Sequence, residues 1–252
     1  MSLKLKTGII AFALCCANNV LLSQSGVVKY DFFDMQSGVA YRAELLFQVD
    51  KALFVTMSDS LQGHLDERKT VQKEDGSMAV VSLKTYPEGR FVFESLQSER
   101  IKSNFGGIYM SEKTPRIDWR ITDRKKTLGP YDVIKAVAKF RGRAFEAWFA
   151  PEIPFPYGPW KLQGLPGLIL EAYDTGKYEK LRFRFSGIEY PKAVKIAPPK
   201  SKTGRWLSLS AYQKALENLY RKNTAYTRSI AERFGGEADV PTKLEYQYEV
   251  FD

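Results

Sequence analysis

The chain has 252 residues, 44% of them apolar, carries a formal net charge of +9, and holds one histidine and two cysteines, Cys15 and Cys16. A chain of this length buries a sizeable core, and cysteines confined to the first turns of sequence exclude a disulfide framework or a cysteine metal site in the remainder. A single histidine likewise leaves no material for a zinc-hydrolase motif.

In chain order, Lys4 and Lys6 precede an apolar run from Ile9 to Leu22, broken only by Asn18 and Asn19, and Ser23 and Ser25 place small residues before a cut at Gly26. This is the pattern of a secretory signal peptide. We therefore expect residues 1–25 to be removed and 26–252 to be exported, to the periplasm or in association with the outer membrane. The run is too short for a comfortable membrane span, which needs about 20 apolar residues, and no transmembrane span is expected in the mature chain. Cys15 and Cys16 lie inside the apolar core of the leader and read as small hydrophobes rather than as an anchor. Cleavage after Ser25 removes two of the 38 basic residues and none of the 29 acidic ones, leaving 227 residues with a net charge of +7. Such a surface suits anionic lipid, lipopolysaccharide or acidic glycan; export argues against nucleic acid.

Period-two patterning dominates the chain beyond Gly26. Tyr41, Ala43, Leu45, Phe47 and Val49 alternate with polar neighbours, as do Leu181, Phe183 and Phe185, and Leu244, Tyr246, Tyr248 and Val250. These read as half-buried antiparallel strands. Further strands are expected at 27–33, 53–57, 78–83, 90–95, 107–110, 116–122, 133–140 and 144–149, with a polar connection over 60–77 that contains His64. Gly142, between Arg141 and Arg143, can take the positive φ of a tight hairpin. From Pro151 to Pro166 five prolines and two glycines make a stiff loop, and Leu168, Ile169 and Leu170 form a buried strand. Residues 191–207, rich in Pro and Lys, read as an exposed linker. Over 208–235, Ser208 and Ser210 are N-cap candidates and Gly235-Gly236 a stop. Tyr212, Leu216, Leu219, Asn223, Tyr226 and Ile230 make one apolar stripe. The expected fold is mainly β: a single antiparallel β-sandwich or barrel-like domain with one long amphipathic helix near the C-terminus.

The densest block of sequence runs from Phe140 to Ile169. With Ile117-Asp118-Trp119, Tyr131, Lys135-Ala136, Arg141-Gly142-Arg143, Ala147-Trp148-Phe149, Pro151-Glu152-Ile153-Pro154, Gly158-Pro159-Trp160 and Gly164-Leu165-Pro166-Gly167-Leu168-Ile169, the chain resembles the GLPGLI family of Bacteroidetes envelope proteins, named for that hexapeptide. The resemblance is close over 119–171 and looser over 26–47, and Val133 stands where the family often has cysteine. It implies export, a β-rich fold and association with outer-membrane transport, without any established activity.

The block holds no nucleophile beside a base and no phosphate loop, so no catalytic residue, cofactor or metal is expected. Trp119, Gly142, Trp148, Pro154, Gly158, Pro159 and the hexapeptide residues are the structural signature. Tyr157, Trp160, Arg141, Arg143 and Glu152 are the binding candidates, Tyr157 and Trp160 because aromatics on a stiff loop lose little entropy on binding. Three functional readings are open. The leading one is a non-enzymatic envelope protein that binds a lipid, glycan or peptide beside an outer-membrane transporter. The second is an assembly subunit docking on an outer-membrane protein through the loop. The third is a hydrolase using two of Asp118, Glu146, Glu152 and Glu171.

Overall fold

The computed structural model describes residues 24–34, 39–60, 69–72, 78–81, 89–105, 107–176 and 181–236. Residues 1–23, which hold most of the expected leader, His64 and the alternating segment 243–250 lie outside the described residues. Among the described residues there are thirteen strands: β1 Gly26–Asp34, β2 Val39–Phe47, β3 Lys51–Ser60, β4 Lys69–Gln72, β5 Met78–Val81, β6 Arg90–Ser95, β7 Arg100–Phe105, β8 Ile108–Lys113, β9 Arg120–Leu128, β10 Tyr131–Phe140, β11 Arg143–Ala150, β12 Leu168–Asp174 and β13 Leu181–Glu189. Among them lies one helix, α1, at Leu209–Arg233.

Eleven strands make one antiparallel sheet in the order β8-β7-β6-β3-β2-β1-β13-β12-β11-β10-β9, and β4 pairs with β5 in a separate hairpin. Apart from that excursion the sheet is a meander whose first and last strands meet in its middle. Its two edges, β8 and β9, are consecutive in the chain. This connectivity dictates the shape. Flat, eleven strands about 4.8 Å apart would be roughly 48 Å wide, whereas the connection 114–119 reaches at most about 24 Å. The sheet must curl until its edges approach. Irregular register between Lys29 and Tyr30, and between Trp148 and Phe149, adds local bending.

The curl stops short of a barrel, because β8 and β9 share no ladder. Side chains bridge the seam instead. Arg141, at the β10–β11 turn, pairs with Glu112 of β8, and Trp119 donates through Nε1 to the carbonyl of Gln163 at 2.8 Å. The outer edge of β8 is also covered: Ser111 N donates to Leu207 O and Leu207 N to Tyr109 O, each at 2.9 Å.

Strands distant in the sheet share one apolar cluster, including Tyr30, Phe47, Phe54, Phe149 and Phe183, which places these residues on the inside of the curl. Their neighbours in sequence face outward. Leu53, Val55, Phe91, Phe93 and Tyr109 are covered on that outer face by Val194, Ile196 and Trp206. The segment 191–207, expected as an exposed linker, thus carries its apolar residues down onto the sheet while its lysines stay exposed; one apolar residue every few positions gave no periodic signal.

Two other expectations shift. The strand expected at 116–122 begins only at Arg120, since 114–119 is spent crossing the seam, and Arg100–Phe105, too polar to read as a strand, pairs between β6 and β8. The helix ends as expected. Ser208 Oγ accepts from Ala211 N, and Gly235, at φ 71°, ends it while Gly236 N closes on Ala231 O at 2.9 Å. Only the first two turns of the stripe are buried, through Tyr212 and Leu216 packed near Met110, whereas Tyr226 is 54% exposed.

Candidate functional site

The proline-rich loop does not project from the domain; it fills the curl. Ile153, Phe155, Tyr157, Leu162 and Leu165 all belong to the inner cluster. A loop can be buried only if its backbone groups find partners, and this one supplies them. Gly164 N donates to Pro156 O, Leu168 N to Ile153 O and Ile169 N to Tyr157 O, at 2.8, 2.9 and 2.9 Å. Gly158 and Gly167 are glycine because of close approach: a Cβ on either would lie 2.6 Å from Leu162 O or 2.4 Å from Ala150 O. Pro159, Leu168 and Ile169 are buried, and Pro154, Gly164 and Pro166 face solvent. Trp148 is buried, with Lys126 Nζ 4.4 Å from its ring centroid.

The binding candidates separate on this framework. Tyr157 is 1% exposed and donates to Val49 O at 3.4 Å, and burial pushes its hydroxyl well above the usual tyrosine range. It is core, not a docking anchor, because the loop carrying it turns inward. Trp160 is half-buried, with φ 56°, its ring against Phe140 and Phe145 at 5.7 and 5.9 Å. A non-glycine residue in that region is strained and must be held by its surroundings. Arg141 and Gly142 have φ of 51° and 67°, a pair of positive values suited to a two-residue hairpin turn. Arg143 is buried and donates to Asp174 at 2.9 Å, so its role is internal. Glu152 is exposed.

Three of the four acids of the hydrolase reading are occupied. Asp118 pairs with Arg116, Glu146 with Lys135, and Glu171 with Lys126 while also accepting from the Tyr173 hydroxyl. Among the described residues no group of three or more His, Cys, Asp or Glu is placed to hold a metal.

What the structure brings together instead is a partly enclosed cavity of about 50 Å³ between the inner face, the loop and α1. Its walls include Phe32, Phe54 and Phe183 from the sheet, Trp160 from the loop, Tyr212 from α1, and Arg90. By that measure one water needs about 10–15 Å³, so the space takes a small group. At its edge lies a buried ionic cluster in which Lys161, 1% exposed, reaches Glu112 at 2.7 Å and Arg141 reaches the same carboxylate. Of these residues only Trp160 and Arg141 were legible as candidates. The others come from strands whose inward phase was readable but whose proximity was not.

Comparison with known proteins finds one family model over a short segment. A family model described as "Protein of unknown function (Porph_ging)" matches residues 140–171. No curated protein matches. Among solved structures, PNGF-II in a P21 crystal is 13% identical with a TM-score of 0.47, over 76% of this chain and 32% of that one. An uncharacterised conserved protein from Thermus thermophilus is 11% identical with a TM-score of 0.37, over 79% and 99%. MucB is 12% identical with a TM-score of 0.35, over 73% and 61%. The chain therefore spans about a third of the first of these, and at such scores nothing about activity passes from them to it.

One buried group outside the cavity has a measurable consequence. Glu94 on β6 is 8% exposed, and burial raises its carboxyl to about 8. A carboxyl raised in the native state holds a proton that the unfolded chain releases near its ordinary value of 4.5. Its contribution is therefore fully favourable below pH 4.5 and is lost as pH rises to 8. Urea unfolding should show the native state losing on the order of a few kcal/mol between pH 5 and 8, and Glu94→Gln should remove most of that slope. Equal slopes in the two proteins would assign the effect elsewhere.

Proposed function

We propose that this chain is a GLPGLI-type protein of the cell envelope that binds its ligand without chemical turnover, taking an apolar group of that ligand into the cavity between the curled sheet, the Pro-Gly loop and α1. The observation that supports this is the aromatic lining itself: Phe32, Phe54, Phe183, Trp160 and Tyr212 converge on space left between the sheet, the loop and α1, with Thr56, Arg90, Ser103, Asn104 and Lys161 as the polar residues of the wall. A lipid or an apolar peptide side chain suits these walls better than a glycan. Export and work beside an outer-membrane transporter belong to the same reading, resting on the leader pattern and the family resemblance. Docking through the loop loses one of its two aromatic anchors with Tyr157 buried.

The test is calorimetric titration with octyl glucoside below its micelle concentration, whose alkyl end is small enough to enter the cavity. Wild-type protein should bind it saturably, and Ser103→Leu, which fills the cavity from a residue only 5% exposed, should weaken binding about tenfold or more while circular dichroism stays unchanged. A wild type that gives no saturable signal would sink the reading.

A further inference from the structure

A second concavity lies directly against the first. It is an open groove of about 660 Å³ whose walls include Arg100, Lys113, Lys139 and Arg141, with Phe140 and Leu209 between them. Glu112, the acid in its wall, is already held by Arg141 and Lys161. Arg100 is exposed and donates to Ser111 Oγ and Ser111 O, each at 3.0 Å, which fixes its guanidinium beside the groove and uses no acid. Lys113 and Lys139 are exposed, and neither forms an ion pair with another described residue. Four cations converge here from β7, β8, β10 and the β10–β11 turn, strands brought to one place only because the sheet curls.

The groove and the cavity meet at three points. Glu112, in the groove, is 2.7 Å from Lys161, which lines the cavity. Phe140, in the groove, has its ring 5.7 Å from that of Trp160, in the cavity wall. On α1, Gln213 faces the groove while its neighbour Tyr212 faces the cavity. One side is cationic and open, the other aromatic and partly enclosed, and they are a side chain apart.

Resting on the cavity reading above, we infer that the ligand is an anionic amphiphile: a phosphate or comparable anionic headgroup sits among Arg100, Lys113, Lys139 and Arg141, and its alkyl portion passes beside Trp160 and Tyr212 into the cavity. Charge supplies orientation and encounter rate, and apolar burial adds affinity. Neither half suffices for tight binding. A cavity of about 50 Å³ takes only the end of an alkyl chain and holds it weakly by itself, and exposed cations hold a free anion weakly in salt.

The experiment compares octyl phosphate, octyl glucoside and inorganic phosphate by calorimetric titration, each alkyl probe below its micelle concentration. Octyl phosphate should bind about tenfold tighter than octyl glucoside, the discrimination expected of about 1.4 kcal/mol. That advantage should vanish in Lys113→Gln with Lys139→Gln and at high salt, while octyl glucoside binding is unchanged in the same variant. Ser103→Leu should weaken both alkyl probes. Equal affinity for the two alkyl probes in the wild type would overturn the headgroup assignment and leave the cavity reading standing. Inorganic phosphate binding as tightly as octyl phosphate would show a free-anion site and overturn the amphiphile. Absence of binding by either alkyl probe would overturn both.

Discussion

Glu112→Gln should destabilise the protein by about 3–5 kcal/mol, the cost of leaving buried charge uncompensated, because this carboxylate serves two cations at the seam. Lys161 is 1% exposed and reaches it at 2.7 Å, and Arg141 reaches its other oxygen from the far side of the curl. The amide that replaces it keeps the shape and loses the charge. Lys161→Met provides the contrast: it removes the deeper cation and leaves Glu112 paired with Arg141, so it should cost about 1–2 kcal/mol. The two values come from urea unfolding at pH 7. If Glu112→Gln costs no more than Lys161→Met, the shared carboxylate is not what holds the edges of the sheet together.

Gly167→Ala should cost about 3 kcal/mol or more, although alanine is the smallest side chain that can be added. The new Cβ would lie 2.4 Å from Ala150 O and 2.8 Å from Ala150 C, and both are backbone atoms of β11, so no flexible side chain can move aside. Relief requires the loop to lift from the strand, which exposes Leu165 and Leu168, now 1% and 0% exposed. Gly164→Ala, three residues earlier in the same hexapeptide, should cost only about 1 kcal/mol. Gly164 has φ 89° with nothing within 4 Å of a Cβ, so it suffers backbone strain without collision. Parallel denaturation curves decide the point: equal losses would refute the close-approach explanation for Gly167.

The limits of sequence reading depend on where each signal resides. Local signals were legible. Alternation at Tyr41 to Phe47 and at Leu181 to Phe185 gave strands, because a strand with one buried face repeats every second residue. Ser208 and Gly235 bounded the helix, because capping is settled within one turn. Non-local outcomes were not. Tyr157 read as exposed because Pro and Gly ordinarily mark surface loops. It is buried because Gly158 and Gly167 let the backbone lie against Leu162 and Ala150. Asp118, Glu146 and Glu171 were the acids of the hydrolase reading, and their cations come from across a short turn, from the adjacent strand β10 and, for Glu171, from Lys126 on β9, three places away in the sheet.

The sequence by itself determined that this is an antiparallel β protein with one capped helix, a positive-φ turn after Phe140 and a stiff Pro-Gly block, since each rests on interactions within a few residues. Only the tertiary structure decided that β1 meets β13 in the middle of the sheet, that β8 and β9 become its edges, and that the short crossing 114–119 draws those edges together. The cavity and the cationic groove are products of that curl. Arg100, Glu112, Lys139, Lys161, Phe183 and Tyr212 are spread over more than a hundred residues of chain, and strand order, which no local pattern encodes, places them side by side.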